Sequence, residues 1–488
     1  MKDRQTDTKV VLVETEKDFL LESRERFFQV DVLKAIMIFL VIFDHMVSWG
    51  VKREIGVSLW ERISIPVFLV IMGFNMGISF QKKGVQSLKE LYSWSYFKSK
   101  ILRYILPFLV LYAASTFIGL FMYGFDLSAM YHGQYYPEHG FILLFIGFLP
   151  FWGPGNWFLP VIFQSILFMP LIYWAFTKKP KLTLILCFVV EFAIYLFMFL
   201  YIGEITSYEE YYYVTIMRTS FLIHLSVVGL GMWLSFGYDL KSKRNLFMWI
   251  LFLISLAFII AYQFFDFRFL INSVNLLPGD YHFLIFPYSA FLFLLAMRFL
   301  PQKSEGGISR AISLIGKSTY HILLTQILGY GMIYAFWGSH YGIDIGFGPE
   351  KIIDMIVLWI FFISFGILWY RIDQNKDLRR RALYYINFFI VFASLLFLTF
   401  WAQEFWLPIP LLIIIIYAIA AVIFKFIMKK PLQTKSLSLW TGFLITVFIM
   451  MILQVEVFQP NEAWVTFITI GIILSLTIIG TFLDYRQG

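Results

Sequence analysis

Apolar runs of about 20 residues recur along this chain from Val30 to Phe482, and nothing else in it narrows the fold so far. A helix of about that length crosses roughly 30 Å of hydrocarbon. Only helices or closed barrels span lipid, because each backbone polar group there needs an internal partner. These runs lack the alternation of a barrel strand, so they read as helices. Composition agrees: of 488 residues, 60% are hydrophobic and 14% charged, too little charge to coat a soluble globule of this size. A cytosolic enzyme, a disordered chain and a disulfide-stapled secreted scaffold are excluded. The single cysteine, Cys187, allows neither an intramolecular disulfide nor a cysteine metal cluster.

Spans are expected at 30–49, 62–81, 103–123, 157–176, 182–202, 218–236, 247–265, 282–300, 316–337, 351–370, 383–402, 406–424, 438–456 and 463–483. The stretch 141–152 is apolar but only twelve residues long, and Gly-Pro-Gly-Asn follows it. As a helix it reaches about 18 Å, too short to cross, so it is expected to be re-entrant. With that reading, 32 Lys and Arg fall on inner segments and 6 on outer flanks (Lys52, Arg53, Arg62, Arg218, Arg268 and Lys351). This is a strong positive-inside bias. The expected fold is therefore an all-α polytopic membrane bundle of fourteen helices with both termini cytoplasmic. No cleavable signal peptide is read in residues 1–29, so the first span stays as an anchor in the cell membrane.

Two outer loops differ from the short basic inner ones. Loop 124–140 has no Lys or Arg and carries Asp126, His132, Tyr136, Glu138 and His139. Loop 203–217 holds Glu204, Glu209 and Glu210 among tyrosines. Such clusters stack on sugar rings and bond hydroxyls; an interfacial aromatic belt is the other reading.

Ionisable groups inside spans are costly and mark sites by default. Those that stand out are Lys34, Asp44, His45, Glu191, Arg218, His224, His321 and Asp354. Asp44–His45 is the most informative pair, since an imidazole can take a proton from a hydroxyl and a neighbouring carboxylate raises its basicity. Neighbours on a helix point about 100° apart, so the sequence does not assure their contact. Lys34 and His45 are eleven residues apart, about 16 Å along one helix, with the cation towards the inner face and the imidazole towards the outer.

This first span, VDVLKAIMIFLVIFDH, resembles the opening of the acyltransferase-3 family of membrane acyltransferases, with Lys34 where the family has Arg and His45 matching its His. The resemblance continues in order. Pro66, Gly73 and Phe74 fit the second-helix segment, although Met72 replaces a Ser. Lys100-x-x-Arg103 followed by Pro107 resembles the basic entry to the third helix. The stretch NWFLPV from Asn156, containing Trp157, resembles a Trp-Phe-Leu helix, and IGKSTYHILLTQ, containing Tyr320, a late Gly-Lys-x-Ser-Tyr helix. Gln326 replaces a common family His there. The match covers roughly residues 24–370.

The resemblance implies transfer of an acyl group, often acetyl, from cytoplasmic acyl-CoA to a hydroxyl of an extracytoplasmic glycan or lipid-linked sugar. Lys100 and Arg103 would hold CoA phosphates, with Lys34 at the inner mouth; positive-inside anchoring is the plainer account of the first two. His45 would be the general base or carry the acyl group, with Asp44 beside it. Trp157, Tyr136, His139, Glu209 and Tyr320 complete the expected substrate-binding set. Three divisions follow: a cytoplasmic segment 1–29, a ten-helix domain 30–370 and a four-helix extension 371–488 suited to binding a protein partner. Amino-sugar N-acetylation, a lipid-linked saccharide transporter using His45, Glu191 and His224, and an inactive scaffold are the alternatives. Membrane lipid is the surrounding partner, and neither a metal nor a nucleic acid is indicated.

Overall fold

The computed structural model describes residues 27–47, 49–84, 87–123, 147–202, 217, 219–271, 274–277, 281–303, 306–337, 349–375 and 378. Its long helices are α1 (Phe28–Asp44), α4 (Ser64–Lys82), α7 (Leu106–Met122), α8 (Phe158–Lys178), α9 (Pro180–Ile202), α10 (Leu225–Ser235), α11 (Phe247–Phe265), α12 (Phe286–Phe299), α13 (Gly306–Trp337) and α14 (Pro349–Gln374). Short helices α2 (Trp49–Glu54), α3 (Val57–Trp60), α5 (Leu88–Leu91) and α6 (Trp94–Lys100) lie between them. Each of the first ten expected spans carries a helix, because each is an apolar run that satisfies its own backbone. Among the described residues, five segments are long and apolar enough to cross a membrane: 57–82, 158–178, 180–200, 243–265 and 352–374. The four spans expected from residue 383 onward lie outside the described residues.

Two boundaries differ from expectation. The first helix ends at Asp44 rather than running to 49, and the chain turns at 45–47 into α2 and α3. Helix α13 begins at Gly306, ten residues before the expected 316. Its first turns, GGISRAISL, are amphipathic rather than apolar, so hydropathy passes over them. One face of them is used: Ser313 Oγ donates to the buried carboxylate of Asp31 at 2.8 Å, joining α13 to the start of α1.

The chain divides into two compact units. In the first, comprising the described residues within 27–105, 147–148 and 153–367, α4 packs on α10 and α1 packs on α13. The α4–α10 contact is made by small residues that let backbones approach. A Cβ on Gly231 would lie 2.1 Å from the Val70 carbonyl oxygen, and one on Gly73 2.3 Å from that of Val228. The core there is Phe74, Phe286, Phe291, Phe293 and the aliphatic residues of α1, α4 and α10. Helices α9 and α11 bear outward rows of large apolar side chains such as Leu186, Phe197, Ile250 and Leu253, as lipid contact demands.

The second unit comprises, among the described residues, 106–123, 149–152, 368–375 and 378. Within it, Ser115 Oγ on α7 donates to the Phe151 carbonyl at 2.6 Å and accepts the Phe151 N–H at 2.9 Å. The hydroxyl thus completes backbone groups that no helix would satisfy. Residues 147–152, the described part of the short apolar stretch, are not helical; residues 141–146 lie outside the described part.

Candidate active site

The end of α1 is where the buried charges gather. Asp44, its last residue, meets α2 and the start of α4 as they fold back over it. Lys52 Nζ lies 2.6 Å from Asp44 Oδ1, and Arg62 Nη2 lies 3.4 Å from the same oxygen. Arg62 Nε is 3.5 Å from Glu61 Oε2, and its Nη1 reaches the Tyr281 hydroxyl at 3.4 Å. Lys52, Glu61 and Arg62 are all buried. Charges this deep persist only when paired, and here two cations face two carboxylates. Four of the six cations expected on outer flanks thereby acquire a reason: Lys52 and Arg62 hold Asp44, while Arg53 and Arg268 flank Asp266 at 3.7 and 2.8 Å.

His45 Nδ1 lies 3.5 Å from Asp44 Oδ2. The helix ends between the two residues, so the contact that the sequence left open is made. A carboxylate beside Nδ1 favours the tautomer protonated there, which makes Nε2 the basic nitrogen. The imidazole edge also meets the ring of Tyr330 on α13, centroids 5.8 Å apart, and Tyr330 donates its hydroxyl to the Ile42 carbonyl at 2.8 Å. That bond satisfies one of the carbonyls orphaned at the end of α1 and fixes α13 against it.

The Gly-Pro-Gly-Asn loop approaches from the other side. Gly153 N donates to the Ile327 carbonyl at 2.9 Å, which lays the loop along α13. Gly155, at φ +90°, faces His45 Nε2 and Gln326 Nε2. The loop leads into α8 through Trp157, whose ring lies 5.8 Å from that of Tyr281 and 5.9 Å from that of His224. Trp157 therefore joins the His45 neighbourhood by way of Tyr281 and Arg62.

A second group forms around Tyr104. Lys100, at the end of α6, and Arg103, in a π-helical stretch Ile101–Ile105, have their charges 5.9 and 5.3 Å from the Tyr104 ring. Such stretches recur at functional sites because they re-aim side chains. Lys100 Nζ lies 3.0 Å from Met76 Sδ and 5.6 Å from the Tyr96 ring. No described carboxylate forms an ion pair with it. Burial lowers its pKa, Tyr104 partly offsets this, and Arg103 and Lys83 add to the lowering. Tyr320, expected with the acceptor, instead donates its hydroxyl to the Tyr104 carbonyl at 2.8 Å and so stands with Lys100 and Arg103.

Of the expected site residues, Asp44, His45 and Trp157 come together at one end of α1, while Lys100, Arg103 and Tyr320 form the second group. Lys34 is half-buried near the start of α1. Tyr136, His139 and Glu209 lie outside the described residues. Lys52, Glu61, Arg62 and Tyr281 were not singled out as site residues by sequence; the signal available was that two outer cations broke the charge bias. Glu191, an alternative proton-coupling group, accepts the Ser226 N–H at 2.9 Å and so caps the first turn of α10.

The acyltransferase-domain family, acyltransferase 3, matches residues 27–348. No curated protein and no solved structure gives a match.

Proposed function

This chain belongs to the acyltransferase-3 family of membrane acyltransferases, and from that premise we propose that it moves an acyl group, acetyl foremost, from cytoplasmic acyl-CoA to a hydroxyl of an outer-face glycan or lipid-linked sugar. The observation that carries this reading is His45, its Nδ1 beside an Asp44 carboxylate clamped by Lys52 and Arg62. His45 Nε2 takes the proton of the acceptor hydroxyl as its oxygen attacks the acyl carbon. The carbon–sulfur bond breaks, and the proton passes to the departing CoA sulfur. Asp44 steadies the imidazolium formed between the two transfers.

Lys100 and Arg103 suit the donor's phosphates. A half-buried ammonium with no described acidic partner leaves its charge for an anionic ligand, and Arg103 on its π-helical turn supplies a second. The donor's thioester would run along α1, where Lys34 and His45 are about 16 Å apart. Acceptor binding falls to the Trp157–Tyr281 aromatic pair, faces on which a sugar ring stacks.

The test is release of CoA thiol from acetyl-CoA by purified protein supplied with a membrane glycan and lipid fraction. His45→Ala is expected to lower turnover by about 10²–10⁴-fold, the range of a lost general base, while acetyl-CoA still binds. Unchanged turnover would remove His45 from the chemistry.

A further inference from the structure

Gln326 lies on the face of α13 turned to the 153–156 loop, and its side chain is fully buried. Among the described residues neither its amide nitrogen nor its amide oxygen has a hydrogen-bond partner. A buried amide in that state weighs against stability, and an apolar side chain of the same size would fill the space without that cost. What the amide faces is informative. A Cβ placed on Gly155 would lie 3.2 Å from Gln326 Nε2, 3.5 Å from His45 Nε2 and 3.6 Å from Ile327 Cγ1. The amide and the imidazole therefore converge on one glycine. Its φ of +90° is one that residues with a side chain rarely adopt, so that face of the backbone stays bare.

We infer that Gln326 is a carbonyl-binding residue of the transfer site, its amide N–H holding the oxygen of the acyl group in the space that Gly155 leaves open beside His45. The inference rests on the acyl-transfer reading and adds a role to it. When the acceptor oxygen bonds to the acyl carbon and His45 Nε2 takes its proton, the carbonyl π pair moves onto oxygen. A preset N–H donor in a dry site stabilises that charge as it develops. The pair returns as the carbon–sulfur bond breaks and the thiolate leaves with the proton from His45. An unpartnered buried amide is what such a task requires: its hydrogen bond is kept for a group that arrives with the donor.

The experiment compares wild type, Gln326→Met and Gln326→His for acetyl-CoA binding, Tm, kcat and KM. Gln326→Met keeps the volume and removes the polar atoms. It is expected to bind acetyl-CoA normally, to hold or raise Tm, and to lower kcat by about 10²–10³-fold with little change in KM. Gln326→His, which restores an N–H, is expected to recover part of that loss. A Gln326→Met protein that turns over within about twofold of wild type would overturn the inference and leave the acyl-transfer reading standing. A fall in Tm with a matching loss of donor binding would also overturn it, by making the amide structural. A folded wild type that transfers nothing from acetyl-CoA would sink the acyl-transfer reading, and this inference with it.

Discussion

Asp44 is the residue on which the site turns, because one carboxylate serves two cations and an imidazole. Asp44→Asn keeps the shape and removes the charge, leaving Lys52 and Arg62 buried beside a neutral amide with Glu61 as the remaining acid. Breaking a buried pair by removing one partner costs about 3–5 kcal/mol. A clear drop in Tm is expected, smaller when Lys52→Met is added; an unchanged Tm would mean that the cluster is solvated rather than buried. Asp44 and His45 were legible in the sequence because ionisable groups at the end of an apolar span stand out. Lys52, Glu61, Arg62 and Tyr281 were not, because charged residues beside a span look like ordinary flanks until the chain folds back over the helix end. Contact between Asp44 and His45 depended on where α1 stops, and neighbours on a continuing helix would have pointed apart.

At the scale of elements, the site is held by how closely helices meet. Helices α4 and α10 touch backbone to side-chain-free backbone at Gly73 and Gly231. Gly231→Ala sets a methyl 2.1 Å from the Val70 carbonyl oxygen, so the helices must part. Overpacking of this kind costs about 1–3 kcal/mol. A lower Tm in detergent checks it, and a Tm at or above wild type would refute the close packing. Periodicity and hydropathy located ten helices well because an apolar run in lipid has few alternatives to helix. They missed the amphipathic start of α13 and the helical turns α2 and α3, which are held by tertiary contacts that no local pattern encodes: the Lys52–Asp44 ion pair for α2, and for α3 the bonds from Ser58 N to Gln263 Oε1 and from the Tyr288 hydroxyl to the Leu59 carbonyl. Gly155 illustrates the same limit: Gly-Pro-Gly-Asn announces a turn, but not that the turn lies against an imidazole and an amide.

For the whole molecule, sidedness follows from charge. The bias of 32 expected inner against 6 expected outer cations predicts Lys89 in the cytoplasm and Tyr136 outside. The chain's single cysteine, Cys187, is buried, which makes a labelling map feasible on a Cys187→Ala background. A cysteine at position 89 is expected to react only after the membrane is permeabilised and one at position 136 in intact cells; the reverse pattern would invert the topology. Under the proposed function, that expected sidedness assigns Lys100 and Arg103 to the donor's face and His45 to the acceptor's. The most direct check of that division is acetyl-CoA binding by purified protein, wild type beside Lys100→Ala/Arg103→Ala. Saturable binding weakened at least about tenfold in the double variant is the predicted result. Equal binding by the two proteins, or none by the folded wild type, would contradict it.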